Sequence, residues 1–176
     1  MKALADSSAP RGWKKFQFGE PALFGIILPE KHEAVGELIP MAGAAQPATS
    51  YTYSGQAESG VYMAVYIENL PFIGERVPEA FKHAFYDGMW RGMLKGMESA
   101  LERNGILYKV VSGEKKNIML SGLAGRSQDF TFGPLNGHAR IVIAGRRAFM
   151  ALVMAPPDGG SERELFFKSF EIYAKR

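Results

Sequence analysis

The chain has 176 residues, enough for one domain, and 47% of them are hydrophobic, so it can bury a core without covalent cross-links. It contains no cysteine, which excludes disulfide bonds, thiol catalysis and cysteine-ligated zinc. The net charge of +3 comes from scattered lysines and arginines without a long run of like charges, which argues against nucleic-acid binding.

Residues 1–12 are mostly small and polar. The first ten contain no apolar segment, so the sequence predicts neither a signal peptide nor a membrane anchor here, and we expect a mobile tail. No stretch of about 20 apolar residues occurs in the chain, which predicts the absence of a transmembrane helix. These features are compatible with the periplasm and with the cytoplasm.

The first half of the chain is typical of β structure. Strands are predicted over residues 13–18, 24–28, 51–54 and 61–68. In the last of these strands, Tyr62 and Tyr66 point to one face, and apolar residues occupy the other face as well, which predicts an internal strand covered on both sides. Residues 30–39 fit either a short helical turn or an irregular edge. Residues 40–50 are small and include two prolines, which predicts a mobile loop.

Residues 78–104 carry the strongest helical pattern of the chain. At the helical period a broad apolar arc lies opposite a charged one, so we expect one side to be buried against a sheet. Pro78 suits the first turn, and Asn104-Gly105 suits the exit. The apolar arc comprises Phe81, Phe85, Tyr86, Met89, Trp90, Met93, Leu94, Met97 and Leu101.

Three glycines recur every four residues inside this helix: Gly88, Gly92 and Gly96. Each costs about 1 kcal/mol relative to alanine in a helix interior. Close approach of another backbone is the usual compensation for that cost. The spacing therefore predicts that the glycine row packs tightly against the sheet.

After the helix the pattern changes to an antiparallel meander. Strands are predicted over residues 106–111, 118–120 and 123–132, with a polar turn over residues 112–117 between the first two and a further turn over residues 133–137 after the third. The Asn136-Gly137 pair that ends the second turn favours positive φ.

Residues 139–154 form the best-specified β-hairpin. If Gly145-Arg146 is a two-residue loop, Val142 faces Phe149 and Arg140 faces Ala151. The opposite face is entirely apolar, and we expect it to lie against the long helix. The face that carries Val142 and Phe149 is mixed, and we expect it to be half covered.

The last part of the chain predicts a short helix and a terminal strand. Ser161 is expected to cap the helix, with Glu164 completing a capping box, and Phe166 and Phe167 anchor it. Together the elements predict a single α+β domain over residues 13–176. It has an antiparallel sheet packed against one long helix, with the short C-terminal helix and other segments on the second face.

Catalytic and metal-binding motifs are missing from the sequence. His32, His83 and His138 do not have metal-ligand spacing, and no phosphate loop, dinucleotide loop or nucleophile elbow occurs. His83 is expected to pack at the edge of the apolar arc, and Asp129 has no obvious partner. The sequence therefore predicts no catalytic residue, no cofactor and no metal, which favours a protein that is not an enzyme.

From residue 109 onward the sequence resembles small bacterial proteins of the PsbP and Mog1 fold, many of them periplasmic or lipoproteins. The resemblance depends on the Gly125-Arg126 step that heads a strand and on the hairpin ARIVIAGRRAFMALVM. The ending FFKSF, a helix turning into a last strand, also matches, and the strands before the long helix fit more loosely. The resemblance implies an antiparallel sheet with helices on both faces, protein partners and no catalytic residues.

Two functions follow as hypotheses. The first is a non-enzymatic binding or accessory protein, in which Arg140, Arg146 and Arg147 near the hairpin tip dock an acidic protein partner. The second is a small-molecule binding protein or hydrolase. Its pocket between the sheet and the long helix would be lined by Tyr62, Tyr66 and Trp90.

Overall fold

The computed structural model describes residues 1–4, 6–40, 46–71, 78–103, 108–157 and 160–173. In these residues the chain forms two helices and eleven strands. In chain order they are β1 (Lys2–Leu4), β2 (Trp13–Phe18), β3 (Phe24–Pro29), β4 (His32–Ile39), β5 (Ala48–Ala57), β6 (Gly60–Glu68), α1 (Glu79–Arg103), β7 (Val110–Leu120), β8 (Leu123–Phe132), β9 (Leu135–Ala144), β10 (Arg147–Ala155), α2 (Ser161–Ser169) and β11 (Glu171–Ile172).

The strands form two antiparallel sheets. The large sheet has the order β4-β5-β6-β10-β9-β8-β7, and the small sheet has the order β1-β2-β3-β11. Helix α1 packs on one face of the large sheet, which we call the helix face. The small sheet and α2 pack on the other, which we call the sandwich face. The α+β class is therefore confirmed, with one long helix against an antiparallel sheet. Neither described helix is both long and apolar enough to cross a membrane, as predicted.

The central hairpin has the predicted register. Val142 pairs with Phe149 and Arg140 with Ala151, and Gly145 in the two-residue turn has a φ of 59°. The apolar face of this hairpin contacts α1, as expected. The sandwich face is more completely covered than predicted, because Phe24 of the small sheet packs on Phe149 with the ring centroids 5.7 Å apart. The covering strands come from the other end of the chain, where the hairpin pattern carries no information about them.

Helix α1 agrees closely with the predicted range. Tyr86 and Trp90 are buried against the sheet, and the Trp90 ring meets Phe130 edge-on with the centroids 5.3 Å apart. The Trp90 indole nitrogen donates a hydrogen bond to the Ser112 hydroxyl at 3.2 Å. The side chains of Phe81 and Leu101, and the predicted exit at Asn104-Gly105, lie outside the described residues.

The glycine row of α1 does not face the sheet, so that prediction is wrong. Gly88, Gly92 and Gly96 are all exposed, and a Cβ atom built on any of them would meet no atom within 4 Å. The row runs beside the charged residues Arg91 and Lys95, which are exposed as well. The i, i+4 spacing is real, but it follows the solvent side of the helix.

The N-terminal half contains more strand than the sequence predicts. Residues 2–4 of the expected mobile tail pair with β2, and residues 32–39 form the edge strand β4. The expected mobile loop over residues 40–50 overlaps β5, which begins at Ala48, while residues 41–45 lie outside the described residues.

Strand β7 is continuous where the sequence predicts a turn over residues 112–117. Most of its residues are exposed, because it is the edge strand of the large sheet. The polar composition therefore reflects exposure on both faces rather than a turn. Its pairing with β8 is irregular between Ser112 and Lys115. Of the predicted strand 106–111, residues 106 and 107 lie outside the described residues.

The turn between β8 and β9 is shorter than predicted. Phe132 pairs with Leu135, so the turn consists of Gly133-Pro134, and Gly133 has a φ of 54°. Asn136 and Gly137 lie inside β9, where Gly137 leaves room for the ring of Phe130.

Helix α2 forms as predicted, with Phe166 and Phe167 buried, but its start differs. The N-cap is Gly160 without a side-chain hydrogen bond, so the expected capping box of Ser161 and Glu164 is not formed. Glu164 pairs instead with Lys168 one turn later, at 3.2 Å.

Replacement of a glycine on the exposed side of α1 tests the corrected helix orientation. Gly92→Ala should raise the free energy of unfolding by up to about 1 kcal/mol, because alanine has the higher helix propensity and its methyl group meets no neighbour. Urea unfolding of the variant and the wild type measures the change. A clear loss of stability would show that Gly92 does contact another element.

The matched substitution inside the sheet, Gly137→Ala, should lower the free energy of unfolding. In Gly137→Ala the new methyl group collides with the ring of Phe130, which is only 2% exposed and packs against Trp90. Overpacking of this kind costs about 1–3 kcal/mol. Unfolding curves that match the wild type would place Gly137 outside the core.

Candidate functional site

The three arginines predicted to form one patch lie in three different surroundings. Arg146 is exposed at the hairpin turn, where its Nε donates a hydrogen bond to the Leu70 carbonyl at 2.9 Å. Arg147 lies beside Tyr66, and Arg140 lies beside α2. Arg147 pairs with Ala144, which is four residues from Arg140, a separation of about 14 Å along a strand. The three side chains therefore do not converge at one place.

The predicted pocket between sheet and helix does not bring its lining residues together. Tyr62 and Tyr66 project from β6 into the core of the sandwich face, where Tyr62 meets Trp13 with the centroids 4.6 Å apart. Trp90 lies on the opposite side of the same sheet. The large sheet separates the two tyrosines from the tryptophan, so the three cannot line one cavity.

A concavity of about 530 Å³ lies between β9 and α2, and we call it the basic pocket. Alternation along β9 places His138 and Arg140 on the sandwich face. The i, i+4 spacing in α2 places Arg163 and Phe167 opposite them. The pocket is lined by His138, Arg140, Gly160, Arg163, Glu164, Phe167 and Lys168.

Neither Arg140 nor Arg163 forms an ion pair with a carboxylate within the described part of the chain. Two carboxylates near the pocket have other partners: Asp129 accepts a hydrogen bond from His138, and Glu164 pairs with Lys168. The Arg140 guanidinium lies over the Phe167 ring, 4.6 Å from its centroid. Burial first, and then the charge of Arg163, lower the pKa of Arg140. Two such groups facing one concavity suit an incoming carboxylate or phosphate.

His138 is held by Asp129 on the neighbouring strand. Its Nδ1 lies 2.6 Å from the Asp129 Oδ1, and since a carboxylate only accepts, the imidazole donates. Its ring meets Phe167 edge-on, with the centroids 4.9 Å apart. Burial lowers the pKa of His138, and this outweighs the opposing effect of Asp129, while Arg140 and Arg163 lower it further. His138 is therefore neutral at pH 7, and the arginines supply the positive charge.

The contact between Asp129 and His138 was not predicted, although the sequence contains a signal for it. Asp129 pairs directly with His138 in the β8–β9 register. A two-residue turn at Gly133-Pro134 predicts that pairing by counting outward from the turn. The expected five-residue turn concealed it.

A second concavity, of about 590 Å³, lies between the two sheets at their open end, and we call it the aromatic cleft. One wall is the loop of residues 19–23 with Tyr173, and the other is formed by β5, β6 and β10. The side chains that matter here are Phe18, Glu20, Tyr51, Tyr53, Tyr66, Glu68, Arg147 and Tyr173.

A hydrogen-bonded cluster crosses the floor of the aromatic cleft. The Tyr66 hydroxyl donates to Glu68 Oε2 at 2.9 Å, and the Tyr51 hydroxyl donates to Glu68 Oε1 at 3.2 Å. The Tyr51 and Tyr66 rings are stacked, with centroids 5.8 Å apart and planes inclined by 14°. Burial first, and then Glu68, raise the pKa of Tyr66, so both phenols remain donors at neutral pH. Arg147 also hydrogen-bonds to Tyr66.

Other candidate groups do not form sites. His83 is exposed rather than packed in the core, and it contacts Arg126. Within the residues that the structure describes, no three histidine, aspartate or glutamate side chains converge as metal ligands.

The pKa of His138 predicts a pH dependence of stability. Because folding lowers this pKa, the unfolded chain binds the proton more readily, and the contribution of neutral His138 is complete above the ordinary pKa of about 6.5. It is lost as the pH falls below that value. Urea unfolding on both sides of this pH should show a weaker dependence in His138→Gln. An unchanged dependence in His138→Gln would contradict the assignment.

Comparisons with known proteins identify the fold. No sequence model of a protein family matches the chain, and no curated protein matches it. By structure it is similar to cyanobacterial PsbP (CyanoP) from Synechocystis sp. PCC 6803, with a TM-score of 0.53 and 8% identity. The superposition covers 97% of this chain and 98% of that protein. At this identity the likeness concerns the fold alone, and the fold of this protein is PsbP-like, as the sequence resemblance implies.

Proposed function

We propose that this protein is a non-enzymatic accessory protein that binds an acidic segment of a protein partner in the basic pocket. The observation that carries the proposal is the pair of guanidinium groups, Arg140 and Arg163, which face one concavity without a carboxylate partner in the described chain. Arginine binds carboxylates through two parallel hydrogen bonds, and this geometry favours it at docking sites.

The surroundings of the arginines favour a protein carboxylate. Phe167 gives the pocket an apolar wall beneath Arg140, against which the methylene groups of a glutamate side chain can pack. His138 is neutral at pH 7 and adds a polar ring without adding charge. The pocket opens at the protein surface along α2, so an extended segment can reach it without a rearrangement of the core.

The proposal moves the expected docking surface away from the hairpin tip. Of the three arginines predicted from the sequence, only Arg140 contributes to the basic pocket, and Arg163 of α2 takes the place of the other two. The partner retains the predicted acidic character. The resemblance to the PsbP and Mog1 fold, which implies protein partners, supports this kind of function.

Charge reversal in the basic pocket tests the proposal. In a pull-down from native lysate, Arg140→Glu/Arg163→Glu should recover the specific partner at least about tenfold less well than the wild type, because a charged contact at an interface is replaced by repulsion. Recovery by the wild type should also fall as added salt screens the charges. Mass spectrometry identifies the captured protein and its acidic segment.

The matched control is Arg91→Glu/Lys95→Glu, which makes the same charge change on the exposed side of α1. It should capture the partner as the wild type does. Equal recovery by the pocket variant, or equal loss in the control, would contradict the assignment of the docking site to the basic pocket.

A further inference from the structure

The aromatic cleft contains polar groups that the protein itself leaves unused. Within the described residues, neither the Tyr53 hydroxyl nor the Glu20 carboxylate has a hydrogen-bond or ion-pair partner, and both line the cleft. Tyr53 is half-buried, and burial raises the pKa of its phenol, so the hydroxyl keeps its proton and can donate. A half-buried donor and an exposed acceptor that line the same cleft favour a ligand that both accepts and donates hydrogen bonds.

Aromatic rings supply the apolar part of the cleft. Tyr53 packs against Phe18 with the centroids 4.1 Å apart, and Tyr51 stacks on Tyr66 beside it. Tyr51, Tyr53 and Tyr66 come from the neighbouring strands β5 and β6 and line one wall. Phe18 comes from β2 of the small sheet, so its contact with Tyr53 joins the two sheets at the cleft. The C–H face of a saturated ring can pack on such aromatic side chains.

The charges in the cleft narrow the class of ligand. Glu20 and Glu68 oppose an anion, and Arg147 weakens the attraction of these carboxylates for a cation. A neutral ring with several hydroxyl groups conflicts with neither, because each hydroxyl can donate to a carboxylate and accept from a guanidinium or a phenol. We propose that the aromatic cleft between the two sheets is a binding site for a saccharide.

The size and position of the cleft fit this ligand. Its volume of about 590 Å³ lies within the range of ordinary small-molecule sites. It opens between the sheets at the end where Arg147 lies, whereas the basic pocket lies beside Arg140 and α2. The two sites are separate, so a saccharide and an acidic partner can bind at the same time.

Titration with defined oligosaccharides, followed by two-dimensional amide NMR, tests the proposal. The probes are tetrasaccharides of glucose and of N-acetylglucosamine in α and β linkage. At least one should shift the amide signals of Tyr51, Tyr53 and Glu68 in a saturable way, while the signals of Arg140 and Arg163 remain in place. If none of the probes shifts the cleft signals, or if the shifts map to the basic pocket, the proposal is overturned.

Two conservative variants make the test specific. Tyr53→Phe removes a hydrogen-bond donor, and Glu20→Gln replaces a charged acceptor by a weaker neutral one, so each should weaken binding about three- to tenfold. Both should fold normally, because the altered groups have no partner within the described chain, and the dispersion of the amide spectrum verifies this. Tyr108→Phe, at an exposed tyrosine outside the cleft, is the control and should bind like the wild type. Wild-type affinity in both cleft variants would overturn the proposal.

The same titration separates this proposal from the function proposed above. Tetrasaccharides carry no charge, so their binding should persist at high salt and in Arg140→Glu/Arg163→Glu. A cleft that responds to spermidine or to citrate but to none of the tetrasaccharides would overturn the saccharide assignment. The pull-down result would be unaffected by that outcome.

Discussion

The constraint on which the rest of the structure depends is the burial of the large sheet on both faces. Strands β6 and β10, at its centre, carry apolar side chains on both sides, so water must be excluded from both. Helix α1 covers the helix face, and the aromatic side chains of β2 and β3 cover the sandwich face. Removal of either layer would expose a large apolar surface, and at roughly 25 cal/mol per Å² the loss would exceed the usual stability of a domain.

Both candidate sites lie where the cover of the sandwich face ends. The strands of the small sheet are at most six residues long, whereas those of the large sheet have eight to eleven. The sandwich face therefore continues beyond its cover. The side chains there are amphipathic or charged. Tyr51, Glu68 and Arg147 line the aromatic cleft, and His138 and Arg140 line the basic pocket. Both concavities thus lie where an apolar core gives way to polar groups that remain accessible.

The local sequence pattern was sufficient to predict the structure where one short-range rule sets the geometry. A two-residue turn at Gly145-Arg146 sets the pairing of every residue in the β9–β10 hairpin, and the register is as predicted. The apolar arc of α1 likewise predicted its burial. The same reasoning failed for Gly92, because a helical row of glycines does not itself say whether it faces a sheet or water. It failed for β7 because an edge strand exposed on both faces has the composition of a turn.

The sequence by itself determined the class of the fold, the long helix, the central hairpin and the alternation of faces along β6, β9 and β10, since all of these depend on local turns and on periods of two or 3.6 residues. Only the tertiary structure decided which faces meet. Tyr66 and Trp90 share an apolar character but lie on opposite sides of one sheet. Arg140 joins Arg163, from a helix 23 residues later in the sequence, rather than the nearby Arg147. Such contacts depend on how distant segments pack together. The periodicity within one segment cannot specify that packing.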